Sequence, residues 1–153
     1  MVFRLPGKRS KNPMLVRDVA EKHRGRKPPV VSLDDSLEKI IEGMEYFRHS
    51  RRLYVVDAQG SLLGCITQRD LVHHVFHCHQ FDSIHPRGLL EVITTETARD
   101  LMTREKVHAL MGEGVDEVLK KMLSMEVEEI PILDESGKVL SDLTMIDLMR
   151  ALF

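Results

Sequence analysis

The chain repeats itself, and a repeat constrains the architecture before any single residue does. Arg52-Leu-Tyr-Val-Val-Asp57-Ala-Gln-Gly60 runs on into Ser61-Leu-Leu-Gly64-Cys-Ile-Thr67-Gln-Arg-Asp70-Leu71. Glu129-Ile-Pro-Ile-Leu-Asp134-Glu-Ser-Gly137 runs on into Lys138-Val-Leu-Ser141-Asp-Leu-Thr144-Met-Ile-Asp147-Leu148. Asp57, Gly60, Thr67 and Asp70 recur as Asp134, Gly137, Thr144 and Asp147, each 77 positions on. Upstream, Leu37-Glu-Lys-Ile-Ile-Glu-Gly-Met44 matches Val115-Asp-Glu-Val-Leu-Lys-Lys-Met122 at an offset of 78, and Val16-Arg-Asp-Val19 matches Ala98-Arg-Asp-Leu101. The reading is a basic tail over 1–13, a first repeat over 14–75, a linker over 76–96 and a second repeat over 97–153.

Both copies predict the same elements. Leu37, Ile40, Ile41, Met44 and Phe47 fall on one face of a helix, with Ser36 or a preceding Asp as its cap. Leu53 to Val56 is an almost wholly apolar strand, as one covered on both faces should be. Asp57-Ala-Gln-Gly60 is a turn with glycine where positive φ is needed, and Leu62 to Ile66 is the returning strand. A second helix starts near Asp70, and a short strand near Val30-Val31, or Lys106 to Ala109, precedes the first helix. Each repeat is thus a β-α-β-β-α unit of an α/β (α+β) fold. His23 to Lys27 is expected to be extended up to Pro28-Pro29, and Leu89 to Ile93 to add a helical turn in the linker.

Composition excludes several classes. A net charge of −2 gives no overall field toward nucleic acid, and 5% aromatics with no Trp leave few stacking platforms for single strands. No apolar run approaches the roughly 20 residues that span a bilayer. The basic N-terminus lacks the apolar core of a secretory signal. Cys65 and Cys78 are too few for a disulfide framework and suit a reducing, cytoplasmic setting.

The chemistry concentrates in Gly64-Cys-Ile-Thr67-Gln-Arg-Asp70 and its partner Ser141-Asp-Leu-Thr144-Met-Ile-Asp147. Each lies where a strand gives way to a helix, so unpaired N–H groups and the positive helix end favour anions. A Thr hydroxyl there can bond phosphate, and a carboxylate one turn on can accept both hydroxyls of a ribose. The same Thr-x-x-Asp spacing is also that of a capping box, which needs no ligand.

The ordered set, found twice, resembles a tandem pair of cystathionine-β-synthase (CBS) domains over nearly all of 14–153. The resemblance implies two repeats related by pseudo-two-fold symmetry and packed sheet to sheet. It also implies clefts for AMP, ADP, ATP or S-adenosylmethionine, and a flat homodimer. On that pattern Asp70 and Asp147 hold riboses and Thr67 and Thr144 lie near ribose or phosphate. Val31, Tyr54, Val107, Ile130 and Pro131 flank the adenine. The function implied is a nucleotide-sensing regulatory module with no catalytic residues and no cofactor, its output delivered to an effector protein. The chain departs from the pattern at Tyr54, where many members have Pro, at Ser141 for Gly, and at Asp142 for an apolar residue. Arg69 makes the Asp70 site the more phosphate-friendly, Ile146 being its counterpart, and Asp142 disfavours phosphate beside Thr144. His23-Arg-Gly-Arg26-Lys27 reads either as phosphate contacts or as a solvated loop.

A separate feature is His73-His74-x-x-His77-Cys78-His79 with His85 beyond. His74, His77, Cys78 and His85 form a candidate transition-metal set, alternatively an ordinary polar helix end. The rival readings of the whole chain are a structural or interaction module without nucleotide, and a metal-responsive dimer.

Overall fold

The computed structural model describes residues 12–48, 50–78 and 96–153, the side chains of residues 77 and 78 apart. Its elements are α1 (Val16–Lys22), β1 (Val30–Ser32), α2 (Leu37–Tyr46), β2 (Arg52–Val56), β3 (Leu62–Thr67), α3 (Gln68–Cys78), α4 (Ala98–Leu101), β4 (Ala109–Leu110), α5 (Val115–Ser124), β5 (Glu129–Leu133), β6 (Val139–Thr144) and α6 (Met145–Leu152). They form two three-stranded sheets of order β1-β2-β3 and β4-β5-β6. β1 runs parallel to β2, and β2 antiparallel to β3 with Val55 opposite Gly64. β4 runs parallel to β5 with Ala109 opposite Ile132. The mixed α/β class and the twofold repetition of elements are those the sequence predicts. The hairpin turns carry Gly60 at φ 83° and Gly137 at φ 88°, where a side chain would be strained.

The chain forms two compact units that cut across the sequence repeats. The first gathers the described residues up to Pro28 with Val107–Glu135 and Leu140–Phe153; the second comprises the described residues of Pro29–Lys106 with Ser136–Val139. In the first unit α1 presents Val16, Val19 and Ala20, at most 6% exposed, to a core that includes Val115, Val118, Ile130, Leu143 and Leu148. The Val16 and Arg17 N–H groups donate to the Glu113 and Met111 carbonyls at 2.9 and 3.0 Å, which seats the helix. In the second unit α4 supplies Ala98 and Leu101 to a core of Val31, Leu37, Ile40, Met44, Leu53, Val55 and Ile66. The Ala98 and Arg99 N–H groups donate to the Asp35 and Leu33 carbonyls at 2.9 and 3.0 Å. A fully enclosed Val or Leu contributes on the order of 1.5–3 kcal/mol, so a short helix with one or two such groups gains its stability from the core it closes.

Local chemistry places the boundaries. Ser36 Oγ accepts the Lys39 N–H at 3.3 Å and starts α2. β4 begins at Ala109 and not at Lys106. His23 to Gly25 form a turn where the sequence predicts an extended run, because the His23 N–H donates to the Ala20 carbonyl and the Arg26 N–H to the His23 carbonyl at 3.0 and 2.8 Å. Among the described residues no helix is long and apolar enough to cross a membrane. Residues 1–11 of the tail expected over 1–13, and the expected helical turn at Leu89 to Ile93, lie outside the described residues.

Candidate ligand-binding site

In the second unit β3 ends at Thr67 and α3 starts at Gln68. Asp70 Oδ2 accepts the Thr67 N–H at 3.2 Å, and Thr67 Oγ1 accepts the Asp70 N–H at 3.0 Å, a closed capping box. The box uses one carboxylate oxygen. Asp70 Oδ1 has no hydrogen bond among the described residues, and the side chain is half-buried beside an exposed Arg69. The backbone behind is pressed close. A Cβ on Gly64 would stand 2.1 Å from the Thr103 carbonyl oxygen, and Cys65 and Thr103 exchange N–H···O bonds of 3.0 and 2.9 Å.

The first unit builds the same box and adds cations. Thr144 N–H donates to Asp147 Oδ2 at 3.0 Å and Asp147 N–H to Thr144 Oγ1 at 3.1 Å. Arg26 Nη1 then donates to Asp147 Oδ2 at 2.7 Å and Nη2 to Oδ1 at 3.5 Å, with His23 Nε2 also 3.5 Å from Oδ1. The Arg26 and Asp147 side chains are 21% and 13% exposed. Burial pushes the Asp147 carboxyl up, but the Arg26 hydrogen bond and the Thr144 N–H outweigh it and hold the group down at about 2. Its neighbour Asp142 is fully buried, and that burial drives its carboxyl up to about 6 against the pull of Arg26. Asp142 therefore stands in the protein interior, not on a surface facing an incoming phosphate.

The Arg26 pair has a pH signature. Asp147 is depressed from 3.8 in the folded protein, so its contribution is present above about 4 and lost as pH falls toward about 2. Arg26→Ala is expected to cost about 2 kcal/mol at neutral pH, with the deficit shrinking through that acid window; urea denaturation of both proteins across pH measures it.

The other expected site residues divide between the units. Val31 and Tyr54 lie in the second, at 6% and 1% exposure. Ile130 and Pro131, both buried on β5, lie in the first with half-buried Val107. Tyr54 fills its place in the packed strand. Of the histidines, His73 is exposed, and His74 Nε2 lies 2.5 Å from Glu96 Oε2. The side chains of His77 and Cys78, and the whole of His85, lie outside the described residues; among those described, no group of three or more acids, His or Cys could hold a metal. The Arg26–Asp147 pair escapes sequence reasoning: the basic run around Arg26 stands out, but its partner lies 121 residues away.

Comparison with known proteins accords with this architecture. The family model for the CBS domain matches residues 16–77 and 98–153. The chain is 29% identical over 120 residues to inosine-5'-monophosphate dehydrogenase of Methanocaldococcus jannaschii, covering 78% of this chain but only 21% of that enzyme. It is 25% identical over 161 residues to an uncharacterized protein of the same organism, covering 91% of each. A CBS domain-containing protein from Thermotoga maritima superposes with a TM-score of 0.69 at 29% identity over 91% of this chain and 94% of its own. A CBS domain pair solved in complex with 5'-methylthioadenosine and S-adenosyl-L-methionine shares the fold, with a TM-score of 0.67 and 23% identity over 92% of this chain and 97% of its own. Two matched regions, two sheets of one design and two capping boxes at equivalent junctions agree: the chain belongs to the CBS domain family and carries two copies of that domain.

Proposed function

We propose that the protein is a regulatory module that binds an adenosine-containing nucleotide through its Thr-x-x-Asp junctions and passes its occupancy to an effector protein. The observation that carries this is the half-used carboxylate of Asp70. Capping engages Oδ2, and Oδ1 stays available at a helix N-terminus where N–H groups also favour a phosphate. Val31, Tyr54, Val107, Ile130 and Pro131 are the residues assigned to the adenine. The likeness to a solved domain pair holding two adenosine compounds supports the ligand class. Sensing needs only that the nucleotide favour one conformation over another. Ile146 and Met149, exposed three residues apart on α6, and exposed Phe153 just after it support a homodimer.

A rival reading, a module whose boxes are only caps, rests on the fact that both boxes are closed without ligand. Asp70→Asn separates the two. The amide oxygen still accepts the Thr67 N–H, so the cap survives, whereas its NH2 cannot accept a ribose hydroxyl. With nucleotide at 100 times its Kd the wild type is expected to gain about 2.7 kcal/mol, seen as a raised Tm. The variant is expected to match the wild type without ligand and to lose the Asp70 contribution with it. An unchanged shift in the variant would refute the assignment of Asp70.

A further inference from the structure

We propose that the cavity between α1 and β6 in the first unit is a separate anion site that takes the phosphoryl group of an ester with an uncharged, apolar body. The cavity measures about 270 Å³ and is lined by Arg17, Arg24, Arg26 and Ser141 over an apolar floor that includes Ala20 and Met111. Neither Thr144 nor Asp147 lines it, and although Arg26 also pairs with Asp147 the inference needs no nucleotide at that junction.

The cavity traces to one side chain. In the second unit Gly64 lets the backbone at Thr103 lie along β3 and exchange two hydrogen bonds with Cys65. In the first unit the equivalent position is Ser141, whose side chain would clash with a backbone laid along β6 as Thr103 is laid along β3. Among the described residues no backbone bond ties residues 22–27 to β6; a side chain reaches across instead, Arg26 Nη1 donating to the Asp142 carbonyl at 3.4 Å. The gap left behind is the cavity.

Its walls carry the guanidinium groups of Arg17 and Arg24 against the single carboxylate of Glu21, while the guanidinium of Arg26 is held by Asp147. Arg17 makes no ion pair among the described residues. Among the described residues Arg24 pairs only with Glu21, at 2.9 Å and with both side chains more than two-thirds exposed, a pair that yields readily to a stronger anion. Arg26 forms the wall toward Asp147. Planar guanidinium forks match the oxygens of a phosphoryl group. A second cavity of about 440 Å³ shares Arg17, Met111 and Leu140 and adds Leu110 and Leu133, which gives room for an apolar body. Asp134, Glu135 and Glu113, the last held by Lys121, also line it and disfavour an anion at that end, which orients the ester with its phosphoryl toward α1.

Calorimetric titration with phenyl phosphate and with inorganic phosphate tests this. Phenyl phosphate is expected to bind saturably and more tightly than inorganic phosphate. Arg17→Ala with Arg24→Ala, both on the surface, is expected to weaken it about ten-fold or more. Lys22→Ala with Lys27→Ala, the same change of net charge outside the cavity, is expected to leave it unchanged, as is Asp70→Asn. Absence of binding to the wild type, equal affinity for the two phosphates, or an equal loss in the lysine variant would each overturn the proposal.

Discussion

Gly64→Ala is expected to destabilise the protein by about 3 kcal/mol, the upper end of what overpacking costs. The added methyl would stand 2.1 Å from the Thr103 carbonyl oxygen and 3.1 Å from its carbon, and backbone on both sides leaves no flexible side-chain tip to swing aside. Relief requires the 102–104 segment to lift off β3, which breaks both Cys65–Thr103 backbone bonds and loosens the seat of Leu101 in its core. For a chain of this size that corresponds to a fall in Tm of roughly 6–12 °C. Ser141→Ala, the matching position of the other unit, already accommodates a Cβ and is expected to be near neutral. Thermal melts of the two variants side by side check the contrast.

Asp142→Asn is expected to do the opposite, raising stability by up to about 3 kcal/mol above neutral pH and hardly at all near pH 4. The sign follows from the direction of the shift. Burial lifts the folded Asp142 carboxyl from 3.8 to about 6, so the folded state holds its proton more tightly than the unfolded chain. The stability tied to that proton is complete below about 4 and is lost as pH rises through about 6. The amide of the variant has no proton to lose, so its profile should stay flat through this window. Denaturant unfolding at pH 4, 6 and 8 measures both curves. A wild type that gains stability between pH 5 and 7 relative to the variant would contradict the placement of this carboxylate.

The hairpins, the amphipathic helices and the two Thr-x-x-Asp junctions are legible in the sequence because each is written in neighbouring residues. Strand pairs flank Gly60 and Gly137, apolar spacing marks Leu37 to Met44, and caps follow from a three-residue step. What is not legible depends on residues far apart. Val16, Val19 and Ala20 mark an apolar helix face, but that face fits either repeat's core, and only packing assigns α1 to the unit of α5 and α6. Asp142 reads as a charge beside the ligand because strand alternation alone does not say which face is enclosed; it lies at 0% exposure. Arg69 points to the Asp70 junction as the more cationic, yet it is Asp147 that holds an arginine, through a turn at His23 to Gly25 that an extended reading of that segment conceals.

Regulation by an adenosine compound is best tested by calorimetric titration of the intact chain, freed of co-purified small molecules, with AMP, ATP and S-adenosylmethionine in turn. A saturable heat for at least one of them, cut sharply by Asp70→Asn and abolished when Asp147→Asn is added, is the predicted result. A well-folded protein that gives no heat with any of the three at millimolar concentration, or one whose binding survives the double substitution, would contradict it.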